Sequence, residues 1–193
     1  MTPHGPEHAD TIYHPGPAAA RLPRAIHGAL IAHARADYPN EACGLIVGTA
    51  PAAVGGAPLR FEATRNRAAS PYRYEIDPED LYRVMVAADD TDEVIWGIVH
   101  SHTHTPAVPS PTDIGLAFYP EALYLLVSLD PAEADVATGE PGVRAWRIVD
   151  GEVHEVALEH GQDADAAAGT DVTVGTDATV GADLHAIVAS DAD

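Results

Sequence analysis

The run Glu93-Val94-Ile95-Trp96-Gly97-Ile98-Val99 is almost continuously apolar and leads straight into His100-Ser101-His102. A short stretch of this kind reads as a buried strand, and the strand over 93–102 is expected to be central to a sheet. Side chains alternate across a strand, so His100 and His102 project from one face and can converge on one ion. Seven residues further on comes Ser110-Pro111-Thr112-Asp113, in which Asp113 offers an oxygen ligand. Two histidines and one carboxylate leave a fourth tetrahedral position for water, the pattern of a catalytic rather than a structural zinc.

A plainer reading competes. Ser110-Pro111-Thr112-Asp113 has the form of a helix start, with Ser at the N-cap, Pro at N1 and Asp at N3. The two readings are compatible, because a carboxylate in a first helical turn is held rigidly and can face the strand end. A zinc site that hydrolyses also needs a proton acceptor. The candidate is Glu41, in Pro39-Asn40-Glu41-Ala42-Cys43-Gly44-Leu45-Ile46-Val47-Gly48, just before a second apolar strand. Taken alone, an acid at that junction reads as a solvated group.

Glu41, a strand opening Cys43-Gly44-Leu45, and then His100-Ser101-His102 followed by Ser110 and Asp113 together resemble the JAMM/MPN+ metalloprotease family. Every motif position is filled, and the likeness runs over roughly residues 22–159. It implies an α/β (α+β) fold, an MPN/JAMM-like curved mixed β-sheet flanked by helices. It implies zinc held by His100, His102 and Asp113, Glu41 as general acid/base, and Ser110 stabilising an oxyanion. His100, His102 and His104 share a strand face by period-two counting. The family pattern uses Asp113 instead, and Thr105-Pro106 breaks the strand, which leaves His104 for the rim of a cleft.

The core is compact, which is similar to the prokaryotic branch. Ser70-Pro71-Tyr72-Arg73-Tyr74 and Ala145-Trp146-Arg147-Ile148-Val149-Asp150-Gly151 resemble bacterial hydrolases acting on ubiquitin-like sulfur-carrier proteins. The resemblance implies cleavage of the amide after the carrier's C-terminal Gly-Gly, releasing cysteine. Glycine suits a narrow approach because no side chain obstructs it. The loop Asn66–Arg73, with Arg65 just before it, is the one basic cluster, and it can dock a carboxylate of the leaving group or be merely solvated. Two alternatives stand beside this: removal of ubiquitin-like modifiers from lysines of target proteins, and a binding module without chemistry.

Composition bounds the rest. The chain has 193 residues, with 30 acidic against 10 basic and a net charge of −20, which argues against nucleic acid and anionic membranes as partners. Coding bias explains this acidity better than a high-salt habitat does. The single Cys43 excludes an internal disulfide and fits a reducing cytoplasm; opening an apolar strand, it reads as a buried, inert thiol. The N-terminus lacks a signal-peptide pattern and no run is long enough to span a membrane. Oligomeric state is not legible.

Residues 1–20 are expected to be a mobile arm, with Thr11-Ile12-Tyr13 as a possible edge strand; 21–159 form the domain, and 160–193 an acidic disordered tail. In the tail, Gly169–Val174, Gly175–Val180 and Gly181–Leu184 form a near-repeat too poor in large apolar groups to favour a solenoid. Pro23 opens a helix to about Asp37, with Ala25, Ile26, Ala29, Leu30 and His33 on one face. Strands follow near 43–49 and 58–65. Asp77-Pro78-Glu79-Asp80 starts a second helix with the stripe Leu81, Val84, Met85 and Ala88. A short helix is expected at 112–119, then strands at 123–130, 143–149 and 153–158, the last two joined by an Asp150-Gly151 hairpin.

Overall fold

The computed structural model describes residues 16–161. In chain order the elements are β1 (Ala19–Pro23), α1 (Arg24–Asp37), β2 (Cys43–Gly48), β3 (Pro58–Thr64), α2 (Pro78–Asp89), β4 (Val94–His102), α3 (Pro111–Gly115), β5 (Leu123–Ser128), β6 (Gly142–Val149) and β7 (Glu152–Gly161). The strands form one mixed sheet in the order β1-β7-β6-β5-β4-β2-β3. β4 and β5 are parallel, as are β1 and β7; the other neighbours are antiparallel. The expected mixed sheet flanked by helices is therefore present.

β2, β4 and β5 read as apolar runs because both faces of the sheet are covered. On one face α1 packs Ile26, Leu30, Ile31 and Ala34 against Ile46, Trp96, Leu123, Leu125 and Val127. On the other, Leu81, Val84 and Ala88 of α2 meet Leu45, Val47, Ile98, Tyr124 and Leu126. The pairing of β4 with β2 slips at Trp96, as Ile46 faces Gly97 while Val47 faces Ile95. This bulge changes the parity of the strand. Trp96 and Val99 face α1, whereas Ile98 and, two and four residues on, His100 and His102 face the opposite side.

Several local expectations shift. The buried face of α1 is turned from the expected one: Ala25 and Ala29 are exposed, and Ile31 and Ala34 are buried instead. Met85 on α2 is 37% exposed, since only Leu81, Val84 and Ala88 point at the sheet. The expected helix at 112–119 is only the five-residue α3. An unforeseen strand, β1, begins at Ala19, inside the stretch expected to be an arm. The possible strand at Thr11-Ile12-Tyr13 and the tail repeat lie outside the described residues. Asp77 caps α2 by accepting from the Glu79 amide, as its sequence predicts. Asp150 and Gly151 both have positive φ, 51° and 82°, the signature of a two-residue hairpin turn.

Candidate metal centre

β4 carries His100 and His102 to the end of the sheet, where α3 presents Asp113. The Nε2 atoms of the two histidines lie 3.2 Å apart. Asp113 sets Oδ1 3.4 Å from His100 Nε2 and Oδ2 3.6 Å from His102 Nε2. Among the described residues these are the only three that could hold a metal ion together. Donors at zinc distances around a tetrahedral ion stand about 3.3–3.6 Å apart. The separations match that spacing closely, so the donor set fits a divalent cation. The tautomer agrees: the Pro106 carbonyl, 2.7 Å from His102 Nδ1, can only accept, so Nδ1 carries the proton and Nε2 presents a lone pair.

The supporting shell is dense. The Tyr74 ring stacks on His100 at 4.4 Å and 17°. Ser110 and Asp113 form a reciprocal capping box: Ser110 Oγ accepts from the Asp113 amide, and Asp113 Oδ2 accepts from the Ser110 amide at 2.6 Å. The Ser110 hydroxyl accepts in this box and also helps to keep the Asp113 carboxyl ionised, and Ser110 lines the cleft. The helix-start reading of this segment holds, and the capped turn sets the Asp113 carboxylate beside the two histidines.

Glu41 lines the same cleft, about 210 Å³ in volume, beside His102 and Asp113. It is 6% exposed. Burial pushes its carboxyl up to about 7; His102 pulls it back and Asp113 adds to the rise. Burial alone would also raise Asp113, but His100 and His102 outweigh it and hold that carboxyl well below the usual range. Burial lowers His100, while in His102 it is outweighed by Asp113, the Pro106 carbonyl and Glu41, which raise the imidazole. Two carboxyls in one cleft are thus driven apart, one to stay ionised and one to titrate near neutrality.

His104 lies beyond the end of β4, exposed on the cleft wall. His33 packs at a helix edge, with Nε2 3.0 Å from the Cys43 carbonyl. The basic loop is not a cluster aimed at the cleft. Arg65 is engaged by Asp77, Glu79 and Asp80, and Arg67 by Glu75; of the three arginines only Arg73 lines the cleft.

Sequence reasoning gave no role to Ser101, Asn66 or Tyr74. Ser101 had a usable signal: lying between two histidines on a strand, it must face the other way. There its Oγ accepts from the Ala42 amide at 2.8 Å and its own amide donates to the Ala42 carbonyl at 3.0 Å. The ligand strand is thereby stitched to the residue after Glu41. Among the described residues no helix is long and apolar enough to cross a membrane.

A family model described as prokaryotic homologs of the JAB domain matches residues 23–149. The chain is 42% identical over 128 residues to the CysO-cysteine peptidase of Mycobacterium tuberculosis, spanning 66% of this chain and 81% of that protein. It is 34% identical over 107 residues to the desampylase of Haloferax volcanii, spanning 52% of this chain and 74% of that protein. A protein from Desulfitobacterium hafniense, solved in solution, superposes with a TM-score of 0.63 at 28% identity, over 78% of this chain and 99% of that one.

Proposed function

The chain belongs to the family of prokaryotic JAB-domain homologues, and on that footing we propose that it is a zinc-dependent hydrolase. Its substrate is the amide after the C-terminal glycine of a ubiquitin-like sulfur-carrier protein, and cysteine is released. The carrying observation is the convergence of His100, His102 and Asp113, the last two lining one cleft together with a buried Glu41. A peptidase named for a cysteine adduct among the relatives supports the substrate class.

In this reading His100, His102 and Asp113 hold the ion. Zinc bound there supplies Lewis acidity, acidifying water and polarising a carbonyl. Glu41 takes a proton from the attacking water and returns it to the amine as the carbon–nitrogen bond breaks. The water's oxygen ends on the glycine carboxyl. Ser110 donates its hydroxyl proton toward the developing oxyanion. Tyr74 stacks on His100 and covers that face of the ring.

The leaving group separates two hydrolase readings. A free cysteine carries a carboxylate into a cleft that already holds Glu41 and Asp113, and Arg73 on the wall supplies a positive charge for it. A lysine isopeptide, the bond suggested by the likeness to a desampylase, brings no such carboxylate. The test is to incubate zinc-loaded protein with a carrier–cysteine adduct, the same adduct as its carboxamide, and a lysine-linked conjugate, and to weigh the products. Fastest release from the free carboxylate is expected. Release from lysine alone would select the modifier protease. Metal binding with no turnover on any of them would leave a non-catalytic module. Replacing His100, His102 or Asp113 by Ala should abolish stoichiometric metal; full metal content in a doubly substituted His100/His102 variant overturns the ligand set.

A further inference from the structure

Glu41 sits in irregular backbone between α1 and β2, outside the ladder of the sheet. Its placement therefore depends on individual bonds. Its amide donates to the Ser70 carbonyl at 2.9 Å. Its carbonyl accepts from the Asn66 side chain at 2.8 Å. The second Asn66 N–H donates to the Arg73 carbonyl at 3.1 Å. Asn66 Oδ1 accepts from the amides of Ala68 and Glu75, each at 3.0 Å.

All four hydrogen-bonding positions of this amide are used. Two partners are carbonyls and two are amides, so a flipped side chain would set acceptor against acceptor and donor against donor. Asn66 thus has one orientation, and it ties the start of the loop, the end of the loop and Glu41 into one unit. The same loop reaches the ligand strand by a separate route, since the Thr103 hydroxyl donates to the Pro71 carbonyl at 2.9 Å. Asn66 therefore helps to set the distance between Glu41 and the cleft wall without a hydrogen bond to any of the three proposed ligands.

We propose that Asn66 is a positioning residue for Glu41: its amide sets where the carboxyl stands over the His100–His102–Asp113 cluster. The proposal rests on the reading of Glu41 as the base. Removing the two donors takes away the tether on the Glu41 carbonyl, leaving Ser70 and Ser101 to hold the segment from either side, and a displacement of about 1 Å in a catalytic group can cost about 10²-fold in rate. Asn66→Ala removes all four bonds. Asn66→Asp keeps the two acceptor bonds that fold the loop, loses the donors to Glu41 and Arg73, and sets a carboxylate oxygen against their two carbonyls, so it should push the Glu41 peptide away.

The experiment has two arms on zinc-loaded protein. In the kinetic arm, Asn66→Asp and Asn66→Ala are made in the wild-type and the Glu41→Gln background, and kcat on the cysteine adduct is followed by mass spectrometry over long incubations. A loss of about 10-fold or more is expected with Glu41 present, and under about 2-fold in the Glu41→Gln background, with metal content unchanged throughout. Equal losses in both backgrounds would mark Asn66 as merely structural and overturn the proposal. In the structural arm, crystals of Asn66→Asp should have the Glu41 carboxyl displaced while His100, His102 and Asp113 stay in place; an unmoved Glu41 overturns it whatever the kinetics. If Glu41→Gln alone keeps near-normal turnover, the base reading fails instead, and the structural arm still reports on Asn66 by itself.

Discussion

A carboxyl held near pH 7 in a buried cleft is suited to proton transfer and costly to the fold. Glu41 lies at about 7 against an ordinary 4.5, so the folded state prefers it protonated. Its stabilising contribution is complete below about 4.5 and is lost as pH rises through 7. In metal-free protein, Glu41→Gln should exceed wild type by under about 1 kcal/mol at pH 5 and by up to roughly 3 kcal/mol at pH 8. Urea unfolding with a chelator present measures this, and an equal gain at both pH values would contradict the titration. The same substitution should keep zinc yet slow turnover at least about 10²-fold. Histidine identity is equally testable. His104→Ala should retain zinc and part of the activity, whereas Asp113→Ala should not; chelator-competed titrations that rank them the other way would sink the ligand set. Burial pushes the Cys43 thiol up to about 12, so iodoacetamide at pH 8 should leave it unlabelled until the protein unfolds.

At the level of elements, α3 is short but precise in placement, because its capping box fixes the carboxylate that its first turn carries. Ser110→Ala should lower stability by about 1 kcal/mol, whereas Ser110→Gly should cost only about a few tenths. Both should lose about 10²–10³ in rate if the hydroxyl serves the oxyanion. A Ser110→Gly enzyme with normal turnover would restrict Ser110 to capping. β4, the α2 cap and the β6–β7 hairpin were legible in the sequence because each is specified by neighbours: an apolar run, an Asp-Pro pair, an Asp-Gly pair. His100, His102 and Asp113 were brought together because period-two alternation and a helix start are both local rules. The length of α3 was not legible, since the pattern beyond Gly115 continues apolar although Leu116 to Tyr119 turn toward a loop. Nor was the face of α1, where Ala25 and Ala29 look as apolar as Ala34, and only the sheet decides which is covered. Asn66 gave no signal at all, because its partners, Glu41, Arg73, Ala68 and Glu75, are assembled only by the fold.

Among the described residues the whole sheet runs from β3 at one edge to β1 at the other, and β1 pairs along β7 from Ala19 opposite Ala157 to Pro23 opposite Gly161. That pairing fixes where the chain can be cut. Deleting 162–193 should leave a folded, active protein, whereas a cut that removes Gly161 begins to strip β1 of its partner. Deleting 1–23 should lower the melting temperature by several degrees, because the β7 edge and the buried Leu22 site lose their cover. Thermal melts of the two truncations decide this, and a wild-type melt for the second would show β1 to be dispensable. The pairing also has a temporal meaning. A strand at the front of the domain cannot find its seat until the last strand has been synthesised, and no hairpin can bring the two together. Closing a loop of this length is entropically slow, and during synthesis β1 must wait, apolar Leu22 included, until β7 has been made. Ala19–Pro23 is thus the stretch that stays longest without its partner strand while the domain is being made.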